Sequence, residues 1–211
     1  IDLFGLPRKR SQEVKKIHFD LASSVQKFTE HIIFNILNSL YSKTGSENIC
    51  ITGGVAQNSV VNGKILDNTS FKRIYIPSAG HDAGTSIGSA LFLYNHIFDQ
   101  PRLKKVISSN FGPSLSREDI IQYLNKESID YSVLLDDDLF DRVSDKIIQG
   151  GIIGWVQGKA EFGPRALGNR SILADPRRED AKDLLNNKIK MRESFRPFAP
   201  SILEDHVSEY F

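Results

Sequence analysis

The sequence predicts an α/β protein built of two units, and three observations carry that prediction. A short apolar strand over 48–52 runs into Gly53-Gly54 and then into a helical pattern. Periodicity fails between residues 99 and 116, where Pro101, Gly112 and Pro113 stand among Lys and Ser. A second apolar strand over 152–156 then opens a loop punctuated by Gly158, Gly163, Pro164 and Gly168. The units are expected at 1–100 and 113–211, with a linker at 101–112.

Composition bounds the rest. The chain has 211 residues, 40% of them apolar and 25% charged, as in an ordinary globular protein. A net charge of +1 gives no general pull toward nucleic acid or membrane. The one cysteine, Cys50, excludes an internal disulfide and a multi-cysteine metal site. It suits a reducing compartment, so a cytoplasmic location is expected. No apolar run approaches the roughly 20 residues of a membrane span, and no signal peptide is visible. The chain starts at Ile1 and stops on Tyr210-Phe211, which reads as a piece of a longer protein.

Taken in order, Arg8-Lys9-Arg10 is too short a charge block for a nucleic-acid patch and reads as a solvated turn. Ser11 reads as an N-cap. Val14, Ile17, Leu21, Val25, Phe28, Ile32, Ile36 and Leu40 then recur at steps of three and four, one face of a long amphipathic helix stopped by Gly45. His18 and His31 are not spaced as metal ligands on one helical face. After Gly53-Gly54, a helix is expected through Val60, Val61, Ile65 and Leu66. A strand ending in Gly-Gly ahead of a helix brings unpaired N–H groups toward a phosphate, although a tight turn explains the pair equally well.

Arg73-Ile74-Tyr75-Ile76 reads as the next strand. Asp82 then falls between a strand end and a helix start, where open α/β sheets bind ligands and where an N-cap also sits. Gly84, Gly88 and Ala90 allow close packing of a helix that continues to Ile97. In the second unit, residues 117–126 read as a helix and 131–135 as a strand. Asp136-Asp137-Asp138 heads a further helix, with the acids complementing its N-terminal dipole. A last helix is expected over 180–190.

The stretch 151–200 carries the chemistry. Between Lys159 and Arg196 there are ten Lys or Arg against six Asp or Glu. Glycine lets backbone N–H groups approach a ligand, and arginine offers a fork of donors matched to phosphate or carboxylate oxygens. Lys159, Arg165, Arg170 and Arg196 are the candidate catalytic cations, with Arg177 and Arg192 beside them. They are expected to converge on one pocket for phosphoanhydrides. The competing reading is a solvated basic loop paired with acids such as Glu161 and Asp175. Arg196, set in Arg-Pro-Phe-Ala-Pro, is poorly placed for that.

Two motifs carry a family resemblance. Gly53-Gly54-Val55-Ala56-Gln57-Asn58, with Pro77 and Gly80-His81-Asp82-Ala83-Gly84, resembles the C-terminal half of an actin-like (ASKHA) nucleotide-binding domain. Glu161-Phe162-Gly163-Pro164-Arg165-Ala166-Leu167-Gly168-Asn169-Arg170-Ser171-Ile172-Leu173-Ala174-Asp175-Pro176-Arg177, with Arg196-Pro197-Phe198-Ala199-Pro200, looks like the signature of the O-carbamoyltransferases of nodulation-factor and antibiotic-tailoring pathways. The resemblance implies half of an actin-like domain followed by a YrdC-like α/β domain.

It also implies a two-step reaction. A YrdC-like domain joins carbamoyl phosphate to ATP, and an actin-like domain passes the carbamoyl group to a hydroxylated small-molecule acceptor. On this resemblance Gly53, Gly54, Asn58, Gly84, Arg177 and Arg192 hold nucleotide, and Asp82 matches a metal ligand. The implied cofactors are ATP, Mg2+ and, in the full-length protein only, Fe2+. A homodimer is compatible with the resemblance; nucleic acid and membrane are not expected partners. The family's paired histidine ligands have no counterpart in this sequence, and Lys159-Ala160 stands where Arg-Met is expected. The chain alone is therefore expected not to complete carbamoyl transfer. The rival readings are a sugar kinase of the actin-like superfamily, which leaves 161–177 without a purpose, and an RNA-binding or tRNA threonylcarbamoyl-modification module. A non-catalytic domain fits the clustered arginines poorly.

Overall fold

The structure is a computed structural model and describes residues 4–9, 11–102 and 108–210. Helices alternate with short strands in a mixed α/β arrangement, and among the described residues the strands form two sheets of two strands each. The chain divides into two compact units, Ile1–Val106 and Ile107–Phe211.

In the first unit, helix α1 spans Lys16–Thr44. The start expected at Ser11 is displaced because Gln12 bonds back to Lys9 instead of entering the helix. The Lys9 N–H donates to the Gln12 side chain at 2.8 Å, and the Gln12 N–H to the Lys9 carbonyl at 3.0 Å. His18 caps the helix instead, its Nδ1 accepting from the Lys15 N–H at 2.8 Å. Arg10 lies outside the described residues. The stop at Gly45 is as expected: its φ of 62° is the left-handed conformation glycine favours, and its N–H reaches the Tyr41 carbonyl.

The side of α1 that meets the core differs from the predicted stripe. Leu37 is buried with Val61, Ile65 and Phe71, flanked by Ile33, Phe34 and Tyr41, while Val25, Phe28 and Ile36 are exposed. The helix carries two neighbouring apolar stripes, and the partners that fold back lie against the second. Tyr41 meets Phe71 edge-on, with ring centroids 5.5 Å apart. Burying each such aliphatic or aromatic side chain contributes roughly 1.5–3 kcal/mol.

Strand β1 (Asn48–Cys50) pairs in parallel with β2 (Arg73–Tyr75), Ile49 opposite Ile74. Between them, one expected helix is two, α2 (Ser59–Asn62) and α3 (Ile65–Asn68), broken at Gly63, a residue that costs about 1 kcal/mol inside a helix. Helix α4 (Gly84–Phe92) runs on into a π-turn over Leu93–Ile97.

In the second unit, α5 (Arg117–Lys126) opens with a capping box. The Asp119 N–H donates to Ser116 Oγ at 3.0 Å, and the Ser116 N–H to Asp119 Oδ2 at 3.2 Å. Helix α6 (Asp136–Ile148) carries Asp136, Asp137 and Asp138 in its first turn. The strand predicted over 131–135 is not formed: the segment has no ladder partner, and β-branched content alone cannot supply one. Instead β3 (Ile153–Val156) pairs antiparallel with β4 (Arg170–Leu173), Val156 opposite Arg170. Phe140 of α6 faces Trp155 of β3, with rings 6.4 Å apart.

The last predicted helix shortens to α7 (Ala181–Leu184) and widens into a π-turn over Leu185–Ile189. The chain closes on α8 (Val207–Tyr210). Of the expected linker, 103–107 lies outside the described residues. Its end is engaged: Phe162 N–H donates to the Ser109 carbonyl at 2.7 Å, and Gly112 N–H to the Ala160 carbonyl at 2.9 Å.

Candidate functional site

The β3–β4 loop, 157–169, holds the candidate signature, and its own side chains fold it. One carboxylate oxygen of Glu161, Oε1, accepts from the N–H groups of Asn169 at 2.6 Å, Leu167 at 2.7 Å and Arg170 at 3.3 Å. Partial burial pushes this carboxyl up, but the backbone donors of Asn169, Leu167 and Arg170, with its own N–H, together hold it down to about 2. Three of the loop's N–H groups are thus taken by the protein's own carboxylate rather than left for a ligand.

Arg170 serves the same loop. Its Nη1 donates to the carbonyls of Gln157 and Asn169, each at 2.8 Å, and its Nη2 to Gly158 at 3.2 Å and Pro113 at 3.3 Å. All its partners are backbone, so this guanidinium fastens the loop. Asn169 Nδ2 reaches the Lys159 carbonyl at 2.7 Å, and Gln157 Nε2 the Gly168 carbonyl at 3.0 Å. Gly158, Gly163 and Gly168 all have positive φ, which explains their number. Lys159 and Arg165 are exposed on this fastened backbone, and neither side chain has an ion pair or hydrogen bond among the described residues.

The other predicted arginines are held by separate sets of partners. Arg177 is paired to buried Asp175. Asn186, fully buried, accepts from Arg192 Nε at 2.7 Å and donates to the Ser194 carbonyl at 3.2 Å and the Arg196 carbonyl at 2.9 Å. Arg192 then lies over the Phe198 ring, 4.8 Å from its centre, and Arg196 Nε pairs with Glu193 at 3.1 Å. The groove of about 580 Å³ in this unit is lined by Tyr131, Arg142, Lys146 and Ile153 among others, and none of the predicted cations lines it. Glu161, Asn169 and Asn186 organise the predicted cations, yet the sequence marked only Glu161, and as a counter-charge.

In the first unit Gly53 has φ 100°, and its N–H donates to the Gly80 carbonyl at 2.6 Å. A Cβ at Gly53 or Gly54 would meet no atom within 4 Å, so the turn is open to close approach. Asn58 caps α2, accepting from the Val61 N–H at 3.1 Å, and its Nδ2 donates to Gln26 at 2.9 Å. Gly84 is required by packing, since a Cβ there would collide with the Ala79 carbonyl oxygen. Asp82 is exposed. Its carbonyl accepts from the Thr85 N–H and hydroxyl, and Ala83 rather than Asp82 occupies the cap position of α4. His81 Nδ1 is buried and has no hydrogen-bond partner among the described residues. Among the described residues no group of three or more His, Cys, Asp or Glu could hold a metal ion.

Fold and loop together define a mixed α/β protein with a self-clamped, arginine-bearing hairpin loop. Two models of one family match it: the carbamoyltransferase N-terminus over residues 1–91 and the carbamoyltransferase C-terminus over residues 144–211. The chain belongs to the carbamoyltransferase family. Among curated relatives, it is 40% identical over 205 residues to nodulation protein NolO of Bradyrhizobium diazoefficiens, covering 97% of this chain and 37% of that protein. It is 39% identical over 208 residues to nodulation protein NolNO of Sinorhizobium fredii, covering 97% and 30%. An uncharacterized Synechocystis protein is 42% identical over 217 residues, covering 100% and 35%. The chain thus spans about a third of the length of the curated relatives it matches. Among the described residues no helix is long and apolar enough to cross a membrane.

Proposed function

We propose that the chain is part of an O-carbamoyltransferase that activates carbamoyl phosphate with ATP and passes the carbamoyl group to a hydroxyl of a sugar or other natural product, in the cytoplasm. On this reading 1–100 is the second half of an actin-like domain and 113–211 a YrdC-like one. The observation that carries the reading is a pair of cations, Lys159 and Arg165, unpartnered among the described residues on a backbone already fastened by Glu161, Arg170 and Asn169. Carbamoyl phosphate and a triphosphate are polyanions. Cations carried on a backbone ordered ahead of the ligand neutralise its charge with less reorganisation, which suits phosphate chemistry.

Lys159 and Arg165 then bind the oxyanions, Arg170 keeps the loop closed, and Arg192 and Arg196 stand on the segment that Asn186 orders. The open turn at Gly53-Gly54 suits the approach of a nucleotide. ATP supplies the activating phosphoanhydride, with Mg2+ as its counter-ion. Iron does not fit the described residues, because Asp82 stands there without the further ligands a transition metal takes.

Carbamoyl-phosphate-dependent exchange of pyrophosphate into ATP by the full-length enzyme tests the activity. Exchange driven by a sugar would establish the kinase reading, and steeply salt-dependent affinity for tRNA the RNA reading. The 211-residue chain alone is expected to give no carbamoylated acceptor, and turnover by it would overturn that part of the proposal.

A further inference from the structure

Resting on the oxyanion-binding reading of Lys159 and Arg165, the geometry points to Glu161 as the positioning residue of that site. Its carboxylate, by taking the loop N–H groups of Leu167, Asn169 and Arg170, orders the backbone from which both cations reach a phosphoanhydride.

The argument starts from what the loop lacks. Residues 157–169 contain no helix or strand, and Gly158, Gly163 and Gly168 leave the free chain with more conformations than any other residue type would. Arg165 lies within the segment closed by the 2.7 Å bond from the Leu167 N–H back to Glu161. Lys159 lies outside it, but its carbonyl is tied to Asn169, whose own N–H is the shortest of the three donors to Glu161, at 2.6 Å. One carboxylate oxygen therefore joins the two backbones that carry the free cations. Ordering them before the ligand arrives removes a cost that binding would otherwise meet.

A negative group in this place is informative. On Coulomb grounds alone a carboxylate beside an oxyanion site weakens anion binding, so its removal should tighten binding. A positioning role predicts the opposite sign. Alanine separates the two, because it removes the acceptor together with the charge, whereas glutamine keeps an acceptor oxygen for the N–H groups and shows the effect of the charge alone.

The test titrates inorganic pyrophosphate into the 211-residue chain, followed by fluorescence of its one tryptophan, Trp155, which pairs with Ser171 across the hairpin beside the loop. Wild type is expected to bind, with Arg165→Ala weaker by about tenfold, the loss of one charged hydrogen bond. Glu161→Ala is expected to weaken binding by a similar factor of about ten despite shedding a negative charge, and Glu161→Gln to bind at least as tightly as wild type. If Glu161→Ala fails to fold, Glu161→Asp decides, since it keeps the charge but draws the carboxylate back by one methylene from the N–H groups of Leu167, Asn169 and Arg170: a loss of about tenfold supports the positioning role, and affinity equal to or above wild type overturns it. Glu161→Ala binding as well as wild type, or tighter, overturns the inference and leaves the oxyanion reading standing. No pyrophosphate binding by wild type overturns that reading itself, and the inference with it.

Discussion

Arg177 grips Asp175 at both carboxylate oxygens, Nε to Oδ1 at 2.9 Å and Nη2 to Oδ2 at 2.7 Å, and the Arg177 N–H adds a third bond at 3.0 Å. The aspartate is only 6% exposed, so little water competes for it. The guanidinium first, and the N–H second, draw its carboxyl from the ordinary 3.8 to about 2. A carboxyl depressed on folding stabilises the protein above its unfolded value and loses that contribution as pH falls toward the folded one. The stability of wild type should therefore decline between about pH 4 and pH 2, and Asp175→Asn should flatten that limb. Urea midpoints measured across this range check it.

The two neighbouring ion pairs should differ in weight. Asp180, paired with Arg178, has a side chain 60% exposed against 8% for Asp175. Removing the arginine from a pair with an exposed carboxylate costs little, whereas removing Arg177, itself 71% exposed, leaves a carboxylate that is only 8% exposed without its counter-charge. Arg177→Ala should lower the urea midpoint clearly more than Arg178→Ala, and equal midpoints would show that burial does not set the difference.

Asn186 is fully inaccessible and joins three positions, the guanidinium of Arg192 and the carbonyls of Ser194 and Arg196. Asn186→Ala removes all three bonds, but Ser194 and Arg196 are exposed and their carbonyls can turn to water, so the net cost is about 1–3 kcal/mol in total. Chemical denaturation should show a loss within that range. Asn186→Asp keeps the acceptor for Arg192 but gives up the donor to both carbonyls, so it should restore only part of the stability.

The elements that were legible in advance are those with local causes. Ser116 and Asp119 sit at capping-box spacing and start α5, and Gly45 takes the left-handed conformation that ends α1. The misread elements depend on distant partners. Residues 131–135 look like a strand but find no ladder, while β4 exists because Arg170–Leu173 lies opposite β3. The signature loop was legible as a place rich in arginine and glycine. Which of its groups remain free was not, because that turns on Glu161 reaching forward to Asn169 and Arg170 reaching back to Pro113. Asn186 carried no signal, being a polar residue among Leu184, Leu185 and Ile189 that acquires meaning only when 192–196 folds onto it.

Two glycines of α4 should respond to alanine with opposite sign. A Cβ at Gly84 would run into the Ala79 carbonyl oxygen, a backbone atom that cannot swing aside, whereas one at Gly88 meets nothing within 4 Å. Gly88→Ala should stabilise by about 0.5–1 kcal/mol through helix propensity and a less disordered unfolded chain. Gly84→Ala should destabilise, since relieving the clash displaces the turn before the helix. Thermal melts of the two variants check the reversal, and a Gly84→Ala melt at or above wild type would show that the Ala79 turn yields freely.

Arginine 165 and arginine 170 lie on the same loop yet should fail in different ways. Arg170 donates to carbonyls of Gln157, Asn169, Gly158 and Pro113, so alanine there removes charge-assisted bonds worth about 1.5–3 kcal/mol in typical cases. Lysine cannot rescue it, because one ammonium group does not reproduce a planar fork aimed at four oxygens. Arg165 makes no side-chain bond among the described residues, so Arg165→Ala should leave the unfolding midpoint within about 0.5 kcal/mol of wild type while lowering oxyanion affinity. The paired measurement is urea denaturation alongside pyrophosphate titration for each variant. A stable protein with poor binding from Arg165→Ala, and a less stable one from Arg170→Ala, would separate the cation that meets the ligand from the cation that builds the loop around it.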